Sequence, residues 1–143
     1  MASRDLMNDI NPLVAIAPIA VADGTAQKSG SIDTKGYESA TFVLQTGVLV
    51  DADATWTVEV KDGDTDTQTE HTAVADTFLI GTEALMAFDF SDDSITKKIG
   101  YVGGKRYISI EITNVVANAS AAPMAVLCVL GAPHTRPTTN PPA

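Results

Sequence analysis

The sequence predicts an all-β protein, a single antiparallel β-sandwich with a jelly roll as one candidate arrangement and with extended arms at both ends. Three observations predict it. Apolar and polar residues alternate with period two in short runs rich in Val, Ile, Thr and aromatics, which is the pattern of half-buried strands. Gly, Asp and Asn separate those runs at the regular spacing of sandwiches and barrels. Helical periodicity is nearly absent, and 143 residues suit one hydrophobic core.

Residues 1–12 lack the alternation and read as an N-terminal arm, followed by a sandwich domain over 13–130 and a Pro-rich tail over 131–143. The first strand is Leu13–Val21, and Pro18 places it at a sheet edge because proline removes a ladder donor. Tyr37–Thr46 is the next. In Thr55–Lys61 the residues Trp56, Val58 and Val60 point one way while Thr57 and Glu59 point the other. Asp62-Gly63 then opens the loop of a hairpin whose second strand is Thr69–Val74. Only Asp76–Met86 has the pattern for a helical turn, against which Gly81 counts, and a strand over Ala84–Phe90 overlaps its end. Ile95–Val102 and Arg106–Thr113 are expected to pair as a second hairpin through Gly103-Gly104. In the latter strand Ile108, Ile110 and Ile112 face inward, with Tyr107, Ser109 and Glu111 outward. Met124–Leu130 is the last strand. Pro133, Pro137, Pro141 and Pro142 make the tail extended and polyproline-like.

Composition narrows the function classes. The chain is 45% apolar and 19% charged, too apolar for wholesale disorder. Its net charge of −9 repels phosphate backbones and anionic lipid, so neither nucleic acid nor membrane is expected as a direct partner. The N-terminal run, broken by Pro12 and Pro18, lacks the form of an export signal, and the charge-free stretch Thr113–Thr135 is too diluted to span a bilayer. A protein made and kept in the cytosol is therefore expected, and the Asn118-Ala119-Ser120 sequon reads as chance. The single cysteine, Cys128, sits in an apolar run with no cation beside it and reads as a small buried side chain.

No catalytic apparatus is visible, and the chain is read as a non-enzyme without cofactor or metal. His71 and His134 are the only histidines, and none of the familiar nucleophile, zinc or phosphate-loop spacings occurs. His71 reads as a solvated or hydrogen-bonded surface residue. Asp62, Asp64 and Asp66, followed by Glu70, are the candidates for a cation, since alternate oxygen ligands in a turn can encircle Ca²⁺. The spacing departs from an EF-hand, and the competing reading is a solvated acidic loop that resists edge aggregation. Asp51–Asp76 holds eight acids against Lys61, while Lys97, Lys98, Lys105 and Arg106 form a positive strip with no acid between them. Such a strip can steer toward an acidic protein surface or another copy of the chain, and the competing reading is an ordinary solvated face. Asp89, Asp92 and Asp93 suggest paired-carboxylate chemistry but no cleft, and Trp56 alternates with core valines rather than offering a sugar platform.

The blocks Gly36-Tyr37-Glu38-Ser39-Ala40-Thr41-Phe42, Leu79-Ile80-Gly81-Thr82-Glu83-Ala84 and Ile99-Gly100-Tyr101-Val102-Gly103-Gly104-Lys105-Arg106-Tyr107, with Gly131-Ala132-Pro133-His134, resemble those of small head-region structural proteins of tailed phages and prophages. The likeness covers roughly Ser29–Pro137 and consists of turns and strands without a chemical signature. It implies a capsid decoration or cement protein in the virion, assembled in the host bacterial cytoplasm. The major capsid protein is then its partner, and a homo-oligomer, a trimer at a local threefold, its form. Lys97, Lys98, Lys105 and Arg106, with Pro133, Arg136 and Pro137 of the tail, are the candidates for a capsid or subunit interface. The rival readings are a tail or head–tail connector component and a carbohydrate- or host-surface-binding β module.

Overall fold

Alternation along the long strands obliges the chain to bury one face of each, and in the computed structural model those faces meet between two antiparallel sheets. Residues 4–22, 24–116 and 120–142 are described, with the side chain of 116 excepted. The sequon residue Asn118, the start of the N-terminal arm and Ala143 lie outside them. In chain order the elements are β1 (Ile10–Val21), β2 (Gln27–Lys28), β3 (Ile32–Asp33), β4 (Tyr37–Thr46), β5 (Thr55–Gly63), β6 (Thr72–Ala73), β7 (Leu79–Ile80), α1 (Glu83–Met86), β8 (Phe88–Asp89), β9 (Thr96–Tyr101), β10 (Tyr107–Val116) and β11 (Ala122–Pro133). The first sheet has the order β1-β11-β4-β9-β7. The second has β2-β10-β5-β6, with β3 on β10 and β8 on β5.

The core phases are those of the alternation. Trp56, Val58 and Val60 of β5 and Ile108, Ile110 and Ile112 of β10 are buried opposite Phe42, Leu44, Ile99, Val126, Cys128 and Leu130 of the other sheet. Trp56 stacks on Phe88 of β8 with ring centroids 5.9 Å apart. β1 is an edge strand, as Pro18 requires, with register shifts between Val14 and Ile16 and again before Ile19.

Several elements differ from the sequence reading. Thr69–Val74 is not a continuous strand: a 3-10 turn at Gln68–Glu70 precedes the two residues of β6. Ala84–Phe90 divides into α1 and β8, because Thr82 caps a helical turn by accepting the Leu85 N–H. Gly103-Gly104 does not close a hairpin, since β9 belongs to one sheet and β10 to the other. Gly103 serves instead the close approach of Tyr101, whose hydroxyl would lie 2.3 Å from a Cβ at that position. β1 begins at Ile10, so residues 10–12 join the sheet with Asn11 buried.

The terminal segments lie against each other. Thr138 donates its hydroxyl to the Ile10 carbonyl (2.7 Å) and its N–H to the Asn8 carbonyl (3.2 Å), while Arg136 pairs with Asp9 at 2.8 Å. His134 donates its N–H to Gly36 and its ring contacts Glu38.

Candidate functional site

The end of β5 and the segment leading to β6 carry the acidic candidates, and Asp62, Asp64 and Glu70 each have a local partner. Asp62 accepts the Tyr101 hydroxyl at 2.7 Å, Asp64 pairs with Lys105 at 2.5 Å, and Glu70 accepts the Thr65 hydroxyl at 2.6 Å. Asp66 is exposed. Among the described residues no group of three or more His, Cys, Asp or Glu side chains is arranged to hold a metal ion.

His71 and Ser109 correct the sequence reading of that face. Ser109 is expected outward and His71 at the surface, solvated or hydrogen-bonded; His71 is hydrogen-bonded, but it is 7% and Ser109 0% exposed. His71 Nδ1 meets Ser109 Oγ at 2.8 Å and Nε2 meets the Thr65 carbonyl at 3.0 Å. The β5–β6 loop thus folds over the outer face of the second sheet and uses the imidazole as its anchor. Gly63 makes room, because a Cβ there would lie 2.6 Å from the ring.

Beyond that loop the same face is ionic. Glu111 and Glu59 stand directly opposite on β10 and β5, a repulsive cross-strand pair. Lys61 bridges them at 2.6 and 3.0 Å, and Lys28 adds a contact to Glu111 at 3.0 Å. Hydrogen bonding to Lys61 is the main reason the Glu111 carboxyl lies below its ordinary range; the same bond raises Lys61.

The positive strip is dispersed. Lys97 turns toward the sandwich margin, bonding the Ala87 carbonyl and pairing with Asp92 at 3.1 Å. Arg106 grips Asp33 with two nitrogens at 2.9 and 2.6 Å, which lowers the Asp33 pKa, and lies over the Tyr107 ring at 4.8 Å. Lys98 alone of the four is exposed without an ion-pair partner among the described residues. Pro133 closes β11, with Arg136 and Pro137 exposed beyond it.

The other carboxylates organise loops. Asp89 accepts the Ser91 hydroxyl and N–H at 2.6 and 2.8 Å, which holds its pKa low, and Asp93 accepts the Leu49 N–H at 2.6 Å. Glu83 of α1 accepts the Val60 N–H at 2.6 Å between the places where β6 and β8 pair with β5. Burial raises its pKa. Cys128 is fully buried, and burial alone pushes its thiol up to about 12.

Apolar side chains available for binding include Leu6, Met7, Phe78, Leu85 and Val102, as well as two larger groups. The outer face of the first sheet exposes Val14 (63%), Leu127 (42%) and Ile80 (65%), with Val43 and Val129 half-buried between them. At one end of the sandwich Val48, Val50, Phe90 and Val115 are exposed. The sequence reading missed both. A signal for the first was present, since Met124–Leu130 is apolar at every position, as in strands covered on both faces.

Among the described residues no helix is long and apolar enough to cross a membrane. No protein-family model matches the chain, and no curated protein matches it in sequence. Among solved structures, the PBSX exported protein XepA matches with a TM-score of 0.54 at 14% identity, over 90% of this chain and 39% of that one. The chain thus spans well under half the length of that protein. A capsid structure of Ralstonia phage GP4 matches at a TM-score of 0.49 and 11% identity, over 92% of this chain and 90% of that one. The xylan-binding module CBM15 matches at 0.43 and 10% identity, over 92% and 96%. With XepA the chain shares the fold, a two-sheet antiparallel sandwich.

Proposed function

We propose that this protein is a non-enzymatic structural component of a tailed-phage virion, which binds the lattice of the major capsid protein and stabilises or decorates the head. The observation that carries a binding role is the apolar end of the sandwich, where Val48, Val50, Phe90 and Val115 are 59%, 70%, 47% and 61% exposed. The loops that carry Val48, Val50 and Phe90 are tied to each other: Leu49 donates to Asp93 at 2.6 Å, Ser94 to the Gly47 carbonyl at 2.9 Å, and the Thr46 hydroxyl to the Asp92 carbonyl at 2.6 Å. A preordered apolar patch loses little entropy on docking and gains the hydrophobic term in full. The head-protein resemblance over Ser29–Pro137 supplies the partner, and the sandwich shared with the PBSX exported protein is compatible with it.

A carbohydrate-binding role has less support, because it calls for an exposed aromatic platform. Trp56 is in the core on Phe88 and Tyr107 is covered by Arg106, while the exposed aromatics Phe78 and Phe90 lie in separate segments, with no ring contact at either among the described residues.

Capsids assembled without this protein are the test. The intact chain should bind them to saturation, and Val50→Asp and Phe90→Asp, which place a charge in the desolvated contact, should each weaken binding at least about tenfold while melting normally. Sedimentation with purified tails and not with capsids would replace this reading by the connector one. Retention on a polysaccharide with no capsid binding would replace it by the sugar-binding one.

A further inference from the structure

Five strands present an outer face that is almost free of charge. In register across the first sheet, Val14 lies beside Leu127, Val43 and Lys98, and in the next row Val129 leads to Ile80, which covers Gly100. Lys98 is the only charge in these two rows. The contrast with the second sheet, whose outer face holds the Glu59–Lys61–Glu111–Lys28 network, is internal to the molecule and independent of any partner.

We propose that this face is the contact between two copies of the chain, packed sheet on sheet about a twofold axis. Charge argues for a second copy. At a net −9 two copies repel over most approaches, and these rows let them meet without placing carboxylates together. Area is sufficient. β1, β4 and β11 run ten to twelve residues; at roughly 3.3 Å per residue and 4.8 Å per strand, about four strands cover on the order of 600 Å². Two such faces bury about 1,200 Å², where stable interfaces begin. Geometry agrees, because identical twisted sheets pack face to face at about 30° without adjustment. The alternative, pairing through the β1 edge, is obstructed by Pro12, Pro18 and the register shifts. The result is a dimer, in place of the threefold arrangement that the resemblance implies.

Sedimentation equilibrium of the full chain, with Val14→Glu and Leu127→Glu variants, tests the contact. The wild type should approach twice its 14.9 kDa chain mass at tens of micromolar, and each variant should weaken the dimer at least about tenfold while its circular dichroism and melting temperature stay normal. Val14 is 63% exposed on an edge strand, so its replacement leaves the fold intact. Thr57→Glu, on the outer face of the second sheet, should leave the dimer unchanged. A wild-type monomer up to about millimolar, or a dimer indifferent to both variants, overturns the proposal. So does a monomer whose Val14→Glu variant no longer binds capsids, which would assign the face to the lattice protein.

Discussion

The hydroxyl of Tyr101 donates a 2.7 Å hydrogen bond to the Asp62 carboxylate, joining β9 of one sheet to β5 of the other. The same oxygen accepts the Lys105 N–H at 3.0 Å, so one phenol holds both sheets and the crossover between them. Burial and the Asp62 bond both raise its pKa, keeping it a donor at any ordinary pH.

Tyr101→Phe should therefore lower the unfolding free energy by about 1–2 kcal/mol, since the Lys105 N–H and one Asp62 oxygen lose their partner. Gly103→Ala should cost at least as much, because its Cβ would collide with the ring. Urea unfolding at neutral pH measures both. Unchanged midpoints would show that the crossover is held by other contacts.

The anchor formed by His71 and Ser109 should behave as a coupled pair. Each alanine variant leaves a buried polar atom unsatisfied and should cost about 1–3 kcal/mol, with the double variant costing less than the sum. Limited proteolysis of His71→Ala should cut first within residues 64–70. Strict additivity in the double-mutant cycle would separate the two residues energetically.

Acid should remove the stabilisation provided by Glu111. Its pKa is lowered in the folded state from an ordinary 4.5, so the contribution is present above that value and is lost as pH falls through the lower folded one. Glu111→Gln should cost about 1 kcal/mol at neutral pH, discounted because Lys28 is half exposed. The gap between wild type and variant should close as the solution is acidified below the ordinary value. A constant gap would rule out the ionic origin.

Glu83 runs the other way. Its pKa is raised, mainly by burial, so ionisation disfavours the fold and its contribution is largest below 4.5, declining as pH rises through the folded value. Glu83→Gln, which keeps the acceptor for the Val60 N–H, should match or exceed wild-type stability at pH 7. Glu83→Ala, which orphans that N–H, should lose about 1–2 kcal/mol in the same chemical unfolding series.

The strands at Tyr37–Thr46, Thr55–Lys61 and Arg106–Thr113, the inward residues of the last two and the edge position of β1 were legible from the sequence by itself. Period two and proline's missing donor are local properties that need no partner to be recognised. Of the candidate sites, the acidic loop and the basic strip were legible as composition only. Tertiary structure alone decided that Lys105 meets Asp64, that Arg106 meets Asp33, and that His71 reaches Ser109, because those partners lie 41, 73 and 38 residues apart. It also decided which sheet each strand joins. Apart from proline, every residue offers the same backbone donor and acceptor, so alternation specifies which face a side chain takes but not the neighbouring strand. Whether an outward side chain meets water, a covering loop or another molecule is settled only when the whole chain has folded.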